Sequence, residues 1–151
     1  MIQSSHLGPR IRVLSQMIEQ YIDRGFNALD LTCAQAFILR YLTDRASEPV
    51  RPKDIEKRFH LTHATVSGVL QRLEAKEYIT VAPDPHDRRC KRVSMTDRAR
   101  QCNLEILKTF SELERAASAG MSEAERAELT RLVDRVIDNL RQTEPKEDSP
   151  K

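Results

Sequence analysis

One stretch, Thr62–Thr96, constrains this chain more than any other: THATVSGVLQRLEAKEYITVAPDPHDRRCKRVSMT. Thr62 offers an N-cap oxygen, and Val66, Val69, Leu70 and Leu73 follow at i, i+3, i+4 and i+7, the spacing of one buried helical stripe. The opposite face carries His63, Ala64, Thr65, Ser67, Gly68, Gln71 and Arg72, all small or able to hydrogen-bond. Two β-leaning runs, 78–81 and 91–95, then flank a turn rich in proline and aspartate. Arg88, Arg89, Lys91 and Arg92 crowd the turn's end. A slim helix beside a cationic hairpin is the shape that enters the grooves of duplex DNA.

The segment before it completes the pattern. Pro52 suits a first helical position, Ile55 and Phe59 supply an apolar side, and His60 with Leu61 makes a tight turn. Arg51 is a poor cap for that helix. Two short helices joined in this way, the second with a polar outer face, form a helix-turn-helix. Upstream, Ile11, Leu14, Ile18, Tyr21 and Ile22 predict a helix over 6–28, with Pro9 tolerated in its first turn. Thr32 and Gln35 form a capping box for a helix to about Ala46, stopped by Ser47, Glu48 and Pro49. Downstream, Thr96 opens a helix to about Ala117, with Ala99, Cys102, Ile106, Phe110 and Leu113 on one side. Gly120 ends it, Ser122 and Glu125 cap another, and Leu129, Leu132, Val133, Val136, Ile137 and Leu140 line the last.

The fold expected is mainly α with a small β-hairpin wing: a winged helix-turn-helix over 31–96, helical dimerisation elements at 1–30 and 97–142, and a disordered tail at 143–151. The long terminal helices carry more apolar stripe than a small winged domain covers, and a two-fold dimer buries it most simply. A monomeric bundle packed on the winged domain is the alternative.

Charge supports an anionic partner through its distribution. The chain nets only +2, yet residues 51–100 hold 12 basic against 7 acidic side chains, leaving the remainder at −3. No apolar run is long enough to span a membrane, no secretory segment opens the chain, and Cys33, Cys90 and Cys102 suit neither disulfides nor a metal knuckle. A cytoplasmic protein without metal or cofactor is expected. No nucleophile elbow, phosphate-binding glycine loop or carboxylate pair points to an enzyme.

Each candidate residue has an assigned chemistry. Thr65 and Ser67 can bond phosphates or base edges, Gln71 can address adenine, and Arg72 guanine or phosphate. His63 and His86 suit backbone or phosphate contacts. Asp87 and Arg89, two apart on an extended arm, point the same way, so the carboxylate can hold the guanidinium for a minor groove. Arg88, Lys91 and Arg92 supply sequence-blind phosphate contacts. Two other functions compete. Cys90 among basic neighbours, or Cys33 at a helix start, could be a reactive thiolate in an oxidant sensor. A winged fold could also serve as a protein-interaction module that has lost DNA binding.

With these residues in place, the chain resembles the MarR family of winged-helix transcription regulators. LTCAQ at 31–35 is similar to the family's opening of the second helix, ATVSGVLQRLEAK at 64–76 to its recognition helix, and DPHDRR with VSMT at 84–89 and 93–96 to its wing signature. The resemblance implies a homodimer formed by both termini, recognition helices in successive major grooves of a pseudo-palindromic operator, and wing arginines in the flanking minor grooves. It also implies a small effector, often phenolic or otherwise aromatic, that binds between the dimer base and the winged domain and alters DNA affinity; a ligand-responsive repressor is the function expected. Two positions depart from the pattern. Gly68 stands where many relatives carry arginine, and Glu77 where they carry glycine, a left-handed position costing roughly 1 kcal/mol without it.

Overall fold

The structure is a computed structural model that describes residues 6–143. Its elements are α1 (Leu7–Gly25), a 3-10 turn (Asn27–Leu29), α2 (Cys33–Asp44), α3 (Pro52–Phe59), α4 (His63–Ala75), β1 (Ile79–Pro83), β2 (Lys91–Met95), α5 (Asp97–Ala117) and α6 (Glu123–Arg141). They fall into two compact units, one up to Leu113 and one from Glu114 onward. This is the mainly helical, winged helix-turn-helix fold that the sequence predicts. The expected tail lies outside the described residues apart from Thr143. Among the described residues no helix is long and apolar enough to cross a membrane.

Capping chemistry sets most of the helix starts. Thr32 Oγ1 accepts the Gln35 N–H at 3.4 Å while Gln35 Oε1 accepts the Thr32 N–H at 3.1 Å. Ser122 and Glu125 exchange the same pair of bonds. Thr62 accepts from the Thr65 N–H, and Thr96 from the Ala99 N–H. Arg51 makes no side-chain cap; instead Asp54 Oδ2 reaches back to its N–H at 2.8 Å. A poor cap thus costs little when the third helical residue is an aspartate.

The first helix ends three residues earlier than its periodicity predicts. Gly25 is its last residue, Phe26 turns into the core, and Asp30 takes a left-handed φ of 52°. A Cβ at Gly25 would sit 2.5 Å from Thr109 Cγ2, so α1 and α5 approach closely there. Helix α2 stops at Asp44, two residues short of its predicted end, because Arg45 and Ala46 bond back to Leu42 and Thr43 as turns.

The core of the first unit joins all its elements. Ile22 (α1), Phe26 just beyond it, Ile38 and Leu39 (α2), Ile55 (α3), Val66 and Leu73 (α4), Ile79 (β1), Val93 (β2) and Ile106 (α5) are buried together. The Phe110 ring packs on Phe26 and Phe37, with centroids 5.9 and 5.1 Å away. The hairpin pairs Ile79 with Met95 through to Pro83 with Lys91, and Val50 bridges to Val93 on the other edge of β2. That bridge ties the wing to the chain just ahead of α3.

Glu77 accepts the left-handed conformation, with φ of 62°. Its N–H bonds Glu74 O at 2.9 Å and the Tyr78 N–H bonds Leu73 O at 3.0 Å, a complete Schellman closure of α4 built without glycine. Glu77→Gly is expected to raise stability by about 1 kcal/mol, read as a higher urea midpoint at unchanged slope.

Candidate nucleic-acid interface

The face of α4 opposite its core stripe is open. His63, Ala64, Thr65, Gln71 and Arg72 are exposed, Ser67 and Gly68 half-buried. The nearest atom to a Cβ built on Gly68 is an Arg72 guanidinium nitrogen at 4.0 Å, so the glycine lowers the helix surface without being forced by packing. Thr62 Oγ1 bonds both the N–H and the hydroxyl of Thr65, at 3.2 and 2.9 Å, so these two side chains also shape the helix start. His63 Nδ1 lies 2.7 Å from Glu56 Oε1 on α3, which orients the ring and directs Nε2 away from that carboxylate.

Long-range bonds hold the far end of α4. Lys76, its C-cap, donates from Nζ to the Asp30 carbonyl and to Gln35 Oε1 at 3.1 Å, with the Asp30 carboxylate 3.5 Å away. Tyr78 Oη donates to the Leu29 carbonyl at 2.7 Å. The tilt of this helix is therefore referred to the α1–α2 connection, a role for Lys76 that local pattern does not disclose.

In the wing the structure corrects the expected Asp87–Arg89 clamp. Residues 87–90 form a turn closed by the Cys90 N–H on Asp87 O at 2.9 Å, not an extended arm. Asp87 Oδ1 accepts the Arg89 N–H at 3.1 Å and Oδ2 accepts the Cys90 thiol at 3.4 Å. The carboxylate thus fixes the backbone of the tip, and the Arg88 and Arg89 side chains stay exposed.

Strand alternation divides the remaining cations. Lys91 lines a recess with His63, Ser67 and Gln71, facing the open side of α4. Arg92 lines a different recess with Leu42, Arg45 and Arg100. The structure therefore gathers Thr62, His63, Thr65, Ser67, Gly68, Gln71, Arg72 and Lys91 along α4, places Asp87, Arg88 and Arg89 at the tip, and turns Arg92 to the other side of the hairpin.

Asp84, a turn former in the sequence, proves to be the hairpin's internal anchor. Its buried side chain accepts the His86 N–H at 2.8 Å and lies 3.7 Å from an Arg51 guanidinium nitrogen, while its own N–H bonds Cys90 O. The bond from His86, chiefly, holds its carboxyl below the usual carboxylate range. A carboxyl lowered on folding stabilises above its unfolded pKa and loses that contribution as pH falls through the folded value. The protection of amides in residues 84–90, measured against their intrinsic exchange rates, is accordingly expected to fall as pH drops below the ordinary carboxylate range, and Asp84→Asn to show that lower protection already at neutral pH.

Neither thiolate expectation survives. The Cys90 thiol is raised, first by its hydrogen bond to Asp87, which outweighs the cationic neighbours in sequence. Burial pushes the Cys33 thiol up to about 11, with Asp23 and Glu19 acting in the same direction despite the helix start. The thiolate argument for oxidant sensing thereby finds no support at either cysteine. Among the described residues no group of His, Cys, Asp or Glu converges as a metal site.

The comparisons with known proteins agree with this geometry. The MarR family model matches residues 29–89, the span from the Lys76 anchor point to the wing tip. The curated HTH-type regulator YwaE of Bacillus subtilis is 37% identical over 83 residues, a match spanning 55% of this chain and about half, 48%, of that protein. The HTH-type transcriptional regulator MgrA of Staphylococcus aureus is 28% identical over 131 residues, covering 87% of this chain and 86% of its own. Among solved structures, the MarR regulator of Oenococcus oeni superposes with a TM-score of 0.81 at 25% identity, over 88% of this chain and 99% of that one. Bordetella bronchiseptica BpsR, whose DNA binding is regulated by 6-hydroxynicotinic acid, gives 0.77 at 27% identity over 91% and 97%. With its helix-turn-helix and basic wing, residues 29–89 of the chain match the MarR family, and the chain as a whole is similar to DNA-binding, winged-helix transcriptional regulators of that family.

Proposed function

We propose that this regulator acts in the cytoplasm as a homodimeric repressor, bound to a pseudo-palindromic operator and released by a small effector. The observation that carries the reading is the open, polar face of α4 beside a cationic tip, with both ends of the helix and the tip's backbone fixed by internal bonds. Such preorganisation lowers the entropy cost of docking on DNA. Thr65, Ser67, Gln71 and Arg72 would read the major groove, Gly68 permitting close approach, while Thr62, His63 and Lys91 meet phosphates. Arg89 enters the flanking minor groove and Arg88 contacts the backbone beside it.

Dimerisation through the terminal helices is supported by their unsatisfied apolar surface. In the first unit α1 exposes Leu7, Leu14 and Met17, and in the second α6 exposes Leu129, Leu132 and Leu140. The effector is supported by the ligand-regulated relative and by a cavity against α1. Selection of bound duplexes from random oligonucleotides tests the whole reading. Two inverted half-sites about one helical turn apart are expected; a single unpaired motif, or no enrichment, would contradict it.

A further inference from the structure

Arg92 is the member of the wing's cationic cluster that the open face of α4 does not use. Half-buried, it lines a recess of about 210 Å3 framed by the end of α2, the α2–α3 connection, β2 and the start of α5. The Val93 N–H bonds Val50 O at 2.8 Å, and the buried Leu42, Val50 and Val93 give the recess an apolar floor. Arg45 and Arg100 share its rim with Arg92. Arg100 donates from Nη1 to the Met95 carbonyl at 2.9 Å and from Nη2 to Asp97 Oδ1 at 3.0 Å. Arg45 donates from Nη1 to Glu48 Oε2 at 3.0 Å and lies over the Tyr41 ring, 5.3 Å from its centroid. Among the described residues the Arg92 guanidinium forms no ion pair.

Three guanidinium groups around one apolar floor repel each other unless an anion joins them. Two of the three are held by bonds to their neighbours, so they lose little side-chain entropy on binding. Their planar forks match the oxygens of a phosphoryl group and can grip it bidentately. Glu48 is the acidic residue of the lining, while Asp97, the partner of Arg100, is exposed and outside it. Three arginines against Glu48 leave the lining at +2. That balance favours a doubly charged phosphate monoester over a carboxylate or the singly charged diester of a nucleic-acid backbone. The volume admits only a short organic body beside the phosphoryl group. We propose that this recess binds a small phosphate monoester, gripped by Arg92, Arg45 and Arg100. The site is separate from the DNA-reading face and does not depend on it. A phosphoryl group there ties β2, the α2–α3 connection and α5 together at the base of the wing.

Calorimetric titration of the full chain with glycerol 3-phosphate and, separately, with dimethyl phosphate tests the assignment. The monoester is expected to bind with a Kd of about 1 mM or tighter, and at least about tenfold more tightly than the diester. Arg92→Gln is expected to weaken it by about tenfold or more at an unchanged melting temperature, since that guanidinium has no ion pair to lose. Arg115→Gln removes the same charge from an exposed position in the second unit and is expected to keep the affinity within about twofold. No monoester binding in this range, equal affinity for the two esters, unchanged affinity in Arg92→Gln, or an equal loss in Arg115→Gln overturns the proposal. Operator titration over a salt series separates the other source of phosphate. Arg92→Gln is expected to keep the wild-type slope, and a slope reduced by about one per protomer would hand this arginine to the DNA backbone and overturn the site. A chain that ignores duplex DNA still answers the calorimetric arms, so the two readings fail separately.

Discussion

Arg89→Ala is expected to weaken operator binding by roughly ten- to a hundredfold, about 1–3 kcal/mol, while the melting temperature stays unchanged. The two parts of this expectation have separate causes. The Arg89 side chain is exposed, and the hydrogen bond that shapes the tip comes from its backbone N–H to Asp87, which alanine keeps. Removing the guanidinium therefore deletes the proposed groove contact and leaves the turn. Asp87→Ala inverts the pattern, because the carboxylate that receives both the Arg89 N–H and the Cys90 thiol disappears. That variant loses affinity through a disordered tip, visible as faster amide exchange at 87–90. Anisotropy titration with a fixed operator duplex measures the first effect, and a thermal melt checks the second. Full affinity for Arg89→Ala would remove the wing from the interface.

Leu132→Glu is expected to convert the proposed dimer to a monomer and to lower operator affinity on the order of a hundred- to a thousandfold. Leu132 is among the exposed apolar residues of α6, together with Leu129, Val133, Ile137 and Leu140. A carboxylate buried among such side chains lacks a partner, and its desolvation opposes association. The monomer keeps its winged fold, since no core residue of the first unit is touched. It then engages one half-site at a time and loses the effective concentration that tethering supplies. Sedimentation velocity and the operator titration read the two consequences together. A dimer that survives the substitution would move the interface elsewhere.

Much of this architecture is legible in the sequence because its signals are local. The capping pairs Thr32–Gln35 and Ser122–Glu125 lie three residues apart and form as expected. The stripe Val66, Val69, Leu70 and Leu73 is buried, as its periodicity requires. What the sequence hides depends on partners distant in the chain or on one residue's geometry. Lys76 reads as an ordinary solvated lysine until Asp30 and Gln35, more than forty positions upstream, come to meet it. Asp87 reads as the holder of a guanidinium, but a turn places its oxygens on a backbone N–H and a thiol. Cys90 looks activated by its basic neighbours, yet the group that touches it is an acid. Arg92 counts toward the cationic cluster in one dimension and faces the other way in three.

The central claim is simultaneous engagement of duplex DNA by α4 and the wing, from two copies of the chain. The most direct measurement titrates the selected operator at a series of salt concentrations and follows the logarithm of affinity against that of salt. The account predicts a steep linear fall, about a thousandfold or more between roughly 50 and 200 mM salt, with the slope reduced by about one per protomer in Arg88→Ala. A flat dependence, or no binding even in dilute buffer, would contradict it.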